Sequence, residues 1–236
     1  YVVWDYDRYG DKEILMAKLT EEELLAIDGT VRMDEDRIVT ISALGVMENI
    51  DTLFIGDSYT DTAFWSAFYE QMKPVNGETI GISGSEADLW LGKVWEVARY
   101  EPENIVIHVG VNDIDRGESG ADCAEDIIEL IRHLRRDLPD TKIFYVSICN
   151  NNAFENKWAE YAVSNAAVKA FAEETEDVYF IDFNAAMLAN AGNMANNGFS
   201  SDNLHLSAQG YELLTQTILE AIYEADGTQA LVGGVV

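Results

Sequence analysis

A chain of 236 residues is long enough for one large domain with a real core, and too short for two ordinary domains to be the default. Hydrophobic residues at 48% and aromatics at 11% argue against disorder, and no apolar run reaches the length of a membrane helix, so no membrane insertion is expected. The formal net charge of −28, from 43 acidic and 15 basic residues, opposes binding to nucleic acid or to an anionic membrane surface, because both are polyanions.

Residues 1–48 read as an N-terminal appendage. Tyr1 to Tyr6 and Arg37 to Ile41 have the pattern of short strands, and Thr20 to Ile27 that of a short helix with Thr20 and Glu23 as a capping box. Such an appendage can pack on a main domain, pair with a sheet edge or form a homo-oligomer by self-association. The chain starts at Tyr1 rather than Met, so it reads as a trimmed product from which any signal peptide would have been removed. A secreted or cell-surface location is weakly favoured over a cytoplasmic one.

From Ile50 the pattern becomes regular, and residues 49–226 are expected to form the main domain, with 227–236 as a tail. Short apolar runs at Thr52 to Ile55, Thr79 to Ile82, Ile105 to Val109, Lys142 to Ile148 and Val178 to Phe183 are the candidate buried strands. Between them lie stretches of helical period: Thr60 to Met72, Ala87 to Tyr100, Ser119 to Leu138 and Phe154 to Glu174, with a last one from Ser207 to Ala225. Alternating strands and helices imply right-handed crossovers and a parallel sheet covered on both faces, so the spacing predicts an α/β, three-layer αβα domain of about five strands. Pro74, Pro102 and Pro139 all fall between elements, as these boundaries require. The stretch from Asn190 to Asp202 is the longest irregular one, and its place just ahead of a histidine suggests a working loop.

Gly56-Asp57-Ser58 sits where the first apolar run gives way to a helical pattern. A serine at a strand-to-helix turn is either a helix cap or, at the carboxyl edge of a parallel sheet, a nucleophile with helix N–H groups behind it. A nucleophilic serine needs a base, a group to orient that base, and donors for the oxyanion. His108 lies inside an apolar strand and reads as a core histidine, and His133 lies on a charged helix face. His205 remains, with Asp202 three residues earlier, a spacing that brings the carboxylate to one imidazole nitrogen across a single turn. The same pair also suits the start of a helix as a cap. Two further strand tips offer donors: Gly110-Val111-Asn112-Asp113 a side-chain amide, and Gly81-Ile82-Ser83-Gly84-Ser85 backbone N–H groups. No G-x-S-x-G elbow, P-loop or G-x-G-x-x-G run is present, no two histidines stand at ligand spacing, and Cys123 and Cys149 read as two buried thiols; no metal and no cofactor is expected.

With these blocks in view the chain resembles the SGNH hydrolase superfamily, the GDSL-like lipases and acylhydrolases. Gly56-Asp57-Ser58 is similar to the family's first block, Gly84 falls at the second block's oxyanion glycine, Gly110 to Asp113 matches G-x-N-D, and Asp202 to His205 matches D-x-x-H. Tyr59 departs from the leucine of the longer G-D-S-L form. The resemblance spans about Asp51 to Ala225 and implies a flavodoxin-like fold, Ser58 as nucleophile, His205 as base and then acid, and Asp202 as its orienting partner. It further implies an oxyanion hole from the Ser58 and Gly84 N–H groups and the Asn112 side chain, with Gly81, Ser83 and Ser85 as nearby alternatives to Gly84. Asp57 and Asp113 are expected to bond loop backbone. The expected activity is metal-independent hydrolysis of small acyl esters, with acetylated carbohydrate as first candidate because Trp65, Trp90 and Trp95 lie after the first two strand ends. Lysophospholipase or short-chain lipase activity, acyl transfer by the same triad, and a non-catalytic glycan-binding relative are the alternatives.

Overall fold

The computed structural model describes residues 2–8, 11–17, 50–61, 71–191 and 199–227. The expected helix at Thr20 to Ile27, the strand at Arg37 to Ile41, most of the helical pattern Thr60 to Met72 with Trp65, the middle of the Asn-rich loop and nearly all of the tail lie outside these residues. The chain divides into two compact units, Tyr1–Asn49 and Ile50–Val236. In the first, β1 (Val2–Arg8) and β2 (Asp11–Ala17) form an antiparallel hairpin in which Val2 pairs with Ala17 and Arg8 with Asp11. The sequence pattern reveals β1, but β2 is an addition to it. Only Tyr9 and Gly10 separate the two strands, the length of a tight hairpin turn.

The second unit is a five-stranded parallel sheet. Its strands are β3 (Thr52–Gly56), β4 (Gly77–Thr79), β5 (Asn104–His108), β6 (Lys142–Val146) and β7 (Val178–Ile181), in the spatial order β4-β3-β5-β6-β7. Renumbered within the sheet this is 2-1-3-4-5, the flavodoxin-like order, and the direction of winding reverses between β3 and β5. A doubly wound sheet opens its ligand crevice there, beyond the carboxyl ends of the strands. The register pairs Gly56 with His108, so the two strands end level at the switch point.

Helices cover both faces. The α-helices whose two ends both lie among the described residues are α1 (Ala87–Leu91), α2 (Val94–Ala98), α3 (Val111–Asp115), α4 (Gly120–Asp137), α5 (Trp158–Glu173), α6 (Phe183–Ala191) and α7 (Ala208–Ala225). On one face Phe54, Val106, Phe144 and Ile181 form a core with Phe183 and Met187 of α6 and with Tyr211, Leu214, Ile218 and Ile222 of α7. Their neighbours Leu53, Ile55, Ile105, Ile107 and Ile143 alternate to the other face and are fully buried. The side chains of Ser119 and Ser207 accept hydrogen bonds from Asp122 N and Gly210 N, which fixes where α4 and α7 begin. No described helix is long and apolar enough to cross a membrane.

Candidate active site

Ser58 stands on a turn that leaves β3 at the switch point. Gly56 has φ +139°, and a Cβ there would lie 2.0 Å from the His108 carbonyl oxygen, so the strand tip admits glycine alone. The turn is tied on both sides: Asp57 N–H donates to His108 O at 2.9 Å, and Ile82 N–H to Gly56 O at 2.8 Å. Thr60 closes it by donating its N–H to Asp57 O at 3.0 Å. Ser58 is thereby held at the sheet edge, 7% exposed. Residues 58–60 form this turn rather than the first turn of a helix.

His205 arrives from the far end of the chain on a compact loop. Ser201 N–H donates to His205 O at 2.8 Å and Ser207 N–H to Phe199 O at 3.0 Å, closing residues 199–207 on themselves. Within it Asp202 Oδ1 accepts from the N–H groups of Leu204 at 3.0 Å and His205 at 2.7 Å, while Asn203 takes φ +74°. The other Asp202 oxygen lies 2.7 Å from His205 Nδ1, and His205 Nε2 lies 3.1 Å from Ser58 Oγ. A carboxylate only accepts, so Nδ1 carries the proton and Nε2 is left to accept the serine hydroxyl. Burial alone would raise the Asp202 carboxyl, but the hydrogen bonds from the His205 ring and from two backbone N–H groups outweigh it and hold the carboxyl below its usual value. The three residues expected from the sequence therefore form one hydrogen-bonded chain.

The donors lie on neighbouring loops. Asn112, at the start of α3, donates one amide hydrogen to Ser85 O at 2.9 Å and retains a second. In the loop after β4, Gly81 N–H donates to Thr79 Oγ1, Ser83 N–H to Asp61 Oδ2 and Ser85 N–H to Ile82 O. Gly84, at φ +76°, is left: its N–H, like that of Ser58, meets no acceptor among the described residues. Of the glycine and serine alternatives in this loop, Gly84 alone keeps a backbone donor to offer. Asp57 Oδ1 accepts from Tyr59 N–H in the serine turn at 3.0 Å, as expected, whereas Asp113 Oδ1 accepts at 2.8 Å from the N–H of Ala87, the first residue of α1 and not a loop residue.

Two partners are not visible in the sequence. His108 is buried, but its Nδ1 sits 2.9 Å from Asp57 Oδ1, directly behind the serine turn, where strand register rather than sequence spacing brings the pair together. Glu118 approaches Asp113, and with Cys123 the two place a donor atom each within 4.8 Å of one another. Desolvation pushes Asp113 up to about 6 and Glu118 up to about 7, and it raises the Cys123 thiol as well. His133 is on the surface of α4, 3.8 Å from Glu129. Cys123 and Cys149 are free and buried.

Trp90 is fully buried and its Nε1 donates to Ser85 Oγ at 2.9 Å, so it braces the Gly84 loop and presents no face to a sugar. Trp95 is 57% exposed on α2.

Residues 54–213 match the sequence model of the GDSL-like lipase/acylhydrolase family. Comparison with curated protein sequences returns no match. Among solved structures, a GDSL-like lipase from Bacteroides thetaiotaomicron is similar over 80% of this chain and 98% of its own, with 16% identity and a TM-score of 0.69. A member of the lipolytic G-D-S-L family from Veillonella parvula matches over 73% and 97%, with 18% identity and a TM-score of 0.61. An acetylxylan esterase from Geobacillus stearothermophilus, in the form of a catalytic mutant, matches over 75% and 96%, with 20% identity and a TM-score of 0.58. At these identities the likeness is one of fold.

Proposed function

The chain belongs to the GDSL-like lipase/acylhydrolase family, and from that premise we propose that it is a serine esterase in which Ser58, His205 and Asp202 act as a triad on small acyl esters. The observation that carries this reading is the position of His205, with Nδ1 2.7 Å from Asp202 and Nε2 3.1 Å from Ser58 Oγ. Ser58 Oγ attacks the ester carbonyl as its proton passes to His205 Nε2, and Asp202 stabilises the imidazolium. The carbonyl oxygen becomes an oxyanion that accepts hydrogen bonds from the Ser58 and Gly84 N–H groups and from the second Asn112 amide hydrogen. Collapse expels the alcohol, which takes the proton from His205. Water, deprotonated by the same nitrogen, then cleaves the acyl-enzyme and returns Ser58.

For the alcohol part we favour an acetylated carbohydrate. The support is the acetylxylan esterase among the structural neighbours, two of whose catalytic mutants replace a histidine and an aspartate three positions before it, the spacing of His205 and Asp202 here. Trp95, exposed on α2, offers an aromatic face in support, and Trp65 lies outside the described residues.

The test is hydrolysis of p-nitrophenyl acetate, butyrate and octanoate, with acetate release from acetylated xylo-oligosaccharides measured alongside. Wild type is expected to prefer the acetyl ester, and Ser58→Ala and His205→Ala to lose about three orders of magnitude or more in kcat. A wild type inert toward every ester, or a Ser58→Ala variant with full activity, would overturn the assignment.

A further inference from the structure

The triad joins two segments far apart in sequence. Ser58 and His205 are 147 residues apart, and the loop that carries the base faces solvent, with the Asp202 side chain 53% exposed. Phe199 and Leu206 bury the two ends of this loop in the core, whereas its tip from Ser201 to Asn203 is exposed, so specific bonds must complete the alignment of His205. Asn203 O accepts from the N–H groups of Asn152 and Ala153 at 3.1 and 3.2 Å, which pins one side of the loop. On the other side stands Tyr59, the residue after the nucleophile.

Tyr59 is fixed along its whole length. Its N–H donates to Asp57 Oδ1 at 3.0 Å, and its carbonyl accepts from Tyr211 of α7 at 3.2 Å. Its ring stacks on His108 with centroids 4.3 Å apart and planes 3° from parallel. The His108 ring is itself held by Asp57 at 2.9 Å. The hydroxyl at the end of this rigid ring donates to Leu204 O at 2.8 Å, one residue before the base. The leucine of the G-D-S-L form has no donor to make this bond.

We infer that Tyr59 is a positioning residue for the ester chemistry, its hydroxyl locking the His205 loop onto the Ser58 turn while the Asp57–His108 pair locks its ring. This rests on the roles proposed above for Ser58 and His205. The bond acts on alignment within the triad and not on substrate, so its loss is expected in kcat and not in KM. A displacement of even about 1 Å between base and nucleophile costs up to about a hundredfold in rate.

Tyr59→Phe tests this because it keeps the ring and its stack on His108 and removes only the hydroxyl. Tyr211→Phe is the matched control: it too removes one hydroxyl bound to a backbone carbonyl, but one that ties the serine turn to α7 and not to the base loop. Steady-state hydrolysis of p-nitrophenyl acetate, the rate of fluorophosphonate labelling of Ser58, and Tm are measured for both. Tyr59→Phe is expected to lose roughly tenfold or more in kcat and the same factor in labelling rate, with KM within about twofold of wild type. Tyr211→Phe is expected to stay within about twofold in all three constants despite a similar drop in Tm. Wild-type kcat in Tyr59→Phe, or an equal loss in Tyr211→Phe, overturns the inference. An inert wild type or an active Ser58→Ala overturns instead the triad on which it rests.

Discussion

Asp113 is 1% exposed, and of its two oxygens only Oδ1 has a donor, the Ala87 N–H. Oδ2 meets none among the described residues, and neither does Glu118 Oε2. The surroundings add charge of the same sign: Glu86 and Asp88 at the start of α1, Asp126 on α4 and Asp57 behind the serine. Desolvation is the larger cause, and it carries Asp113 to about 6 and Glu118 to about 7. In the unfolded chain Asp113 ionises near its ordinary 3.8. Between that pH and about 6 the folded protein thus binds more protons than the unfolded chain, and stability must fall as pH rises through this window. For Asp113 alone the loss is on the order of 2–3 kcal/mol. Asp113→Asn keeps an acceptor for Ala87 and does not titrate, so a Tm series from pH 4 to 8 is expected to be flatter for the variant and to lie above wild type at the alkaline end. A variant that loses stability at pH 8 would show that the carboxylate is worth more than its repulsion costs.

Single residues also mark the limit of what a sequence exposes. Asp202 and His205 were legible because the contact spans one turn, and Gly110 to Asp113 because it is contiguous. The Tyr59 bond to Leu204 spans 145 residues and His108 meets Asp57 across 51, and neither spacing means anything until the strand order is known.

The strands were the most legible elements, because a parallel strand buried on both faces is apolar throughout, and β3, β5 and β6 are recognisable on that ground alone. Edge strand β4 is less so: it ends at Thr79, and the apolar continuation is reduced to a bridge between Gly81 and Asp61. The single helix expected from Ala87 to Tyr100 is two, α1 and α2, since Gly92 and Lys93 leave the helical ladder between them. Helix α6 was hidden by the apolar run ahead of it. Phe183 belongs to the helix, and Asp182, whose side chain accepts from Ala185 N–H at 3.0 Å, is the start signal. Helix packing gives a prediction of its own. At Gly120 a Cβ would lie 2.2 Å from Glu160 O on α5, a backbone contact that no side-chain rearrangement relieves. Gly120→Ala must push α4 and α5 apart, at a cost of about 1–3 kcal/mol. A Tm lowered by several degrees is expected from calorimetry, with kcat of the folded protein unchanged, since Gly120 touches neither the serine turn nor the base loop. An unchanged Tm would mean that the two helices separate freely.

With 43 acidic residues against 15 basic ones, the field around the molecule is set by its excess of carboxylates. The described cations are largely engaged by acids on the surface, as in Arg116 with Glu86, Arg136 with Asp137 and Lys142 with Asp226, and exposed pairs of this kind neutralise charge locally without reversing its sign. A neutral ester feels little of this field, whereas an anionic one must approach against it, and salt screens the repulsion over a Debye length that shrinks from about 30 Å at 0.01 M to about 8 Å at 0.15 M. For p-nitrophenyl acetate kcat/KM is therefore expected to be nearly independent of ionic strength. For mono-p-nitrophenyl succinate, which carries a carboxylate on the acyl side, it is expected to rise several-fold over the same range. The slope against salt is the readout, because fit of the acyl chain in the site changes the level for both conditions alike. An anionic ester that is hydrolysed faster at low salt would place a net positive potential at the serine. Arg116, whose Nη1 donates to Gly84 O at 2.8 Å, would be its source, and Arg116→Gln would then abolish the reversed slope.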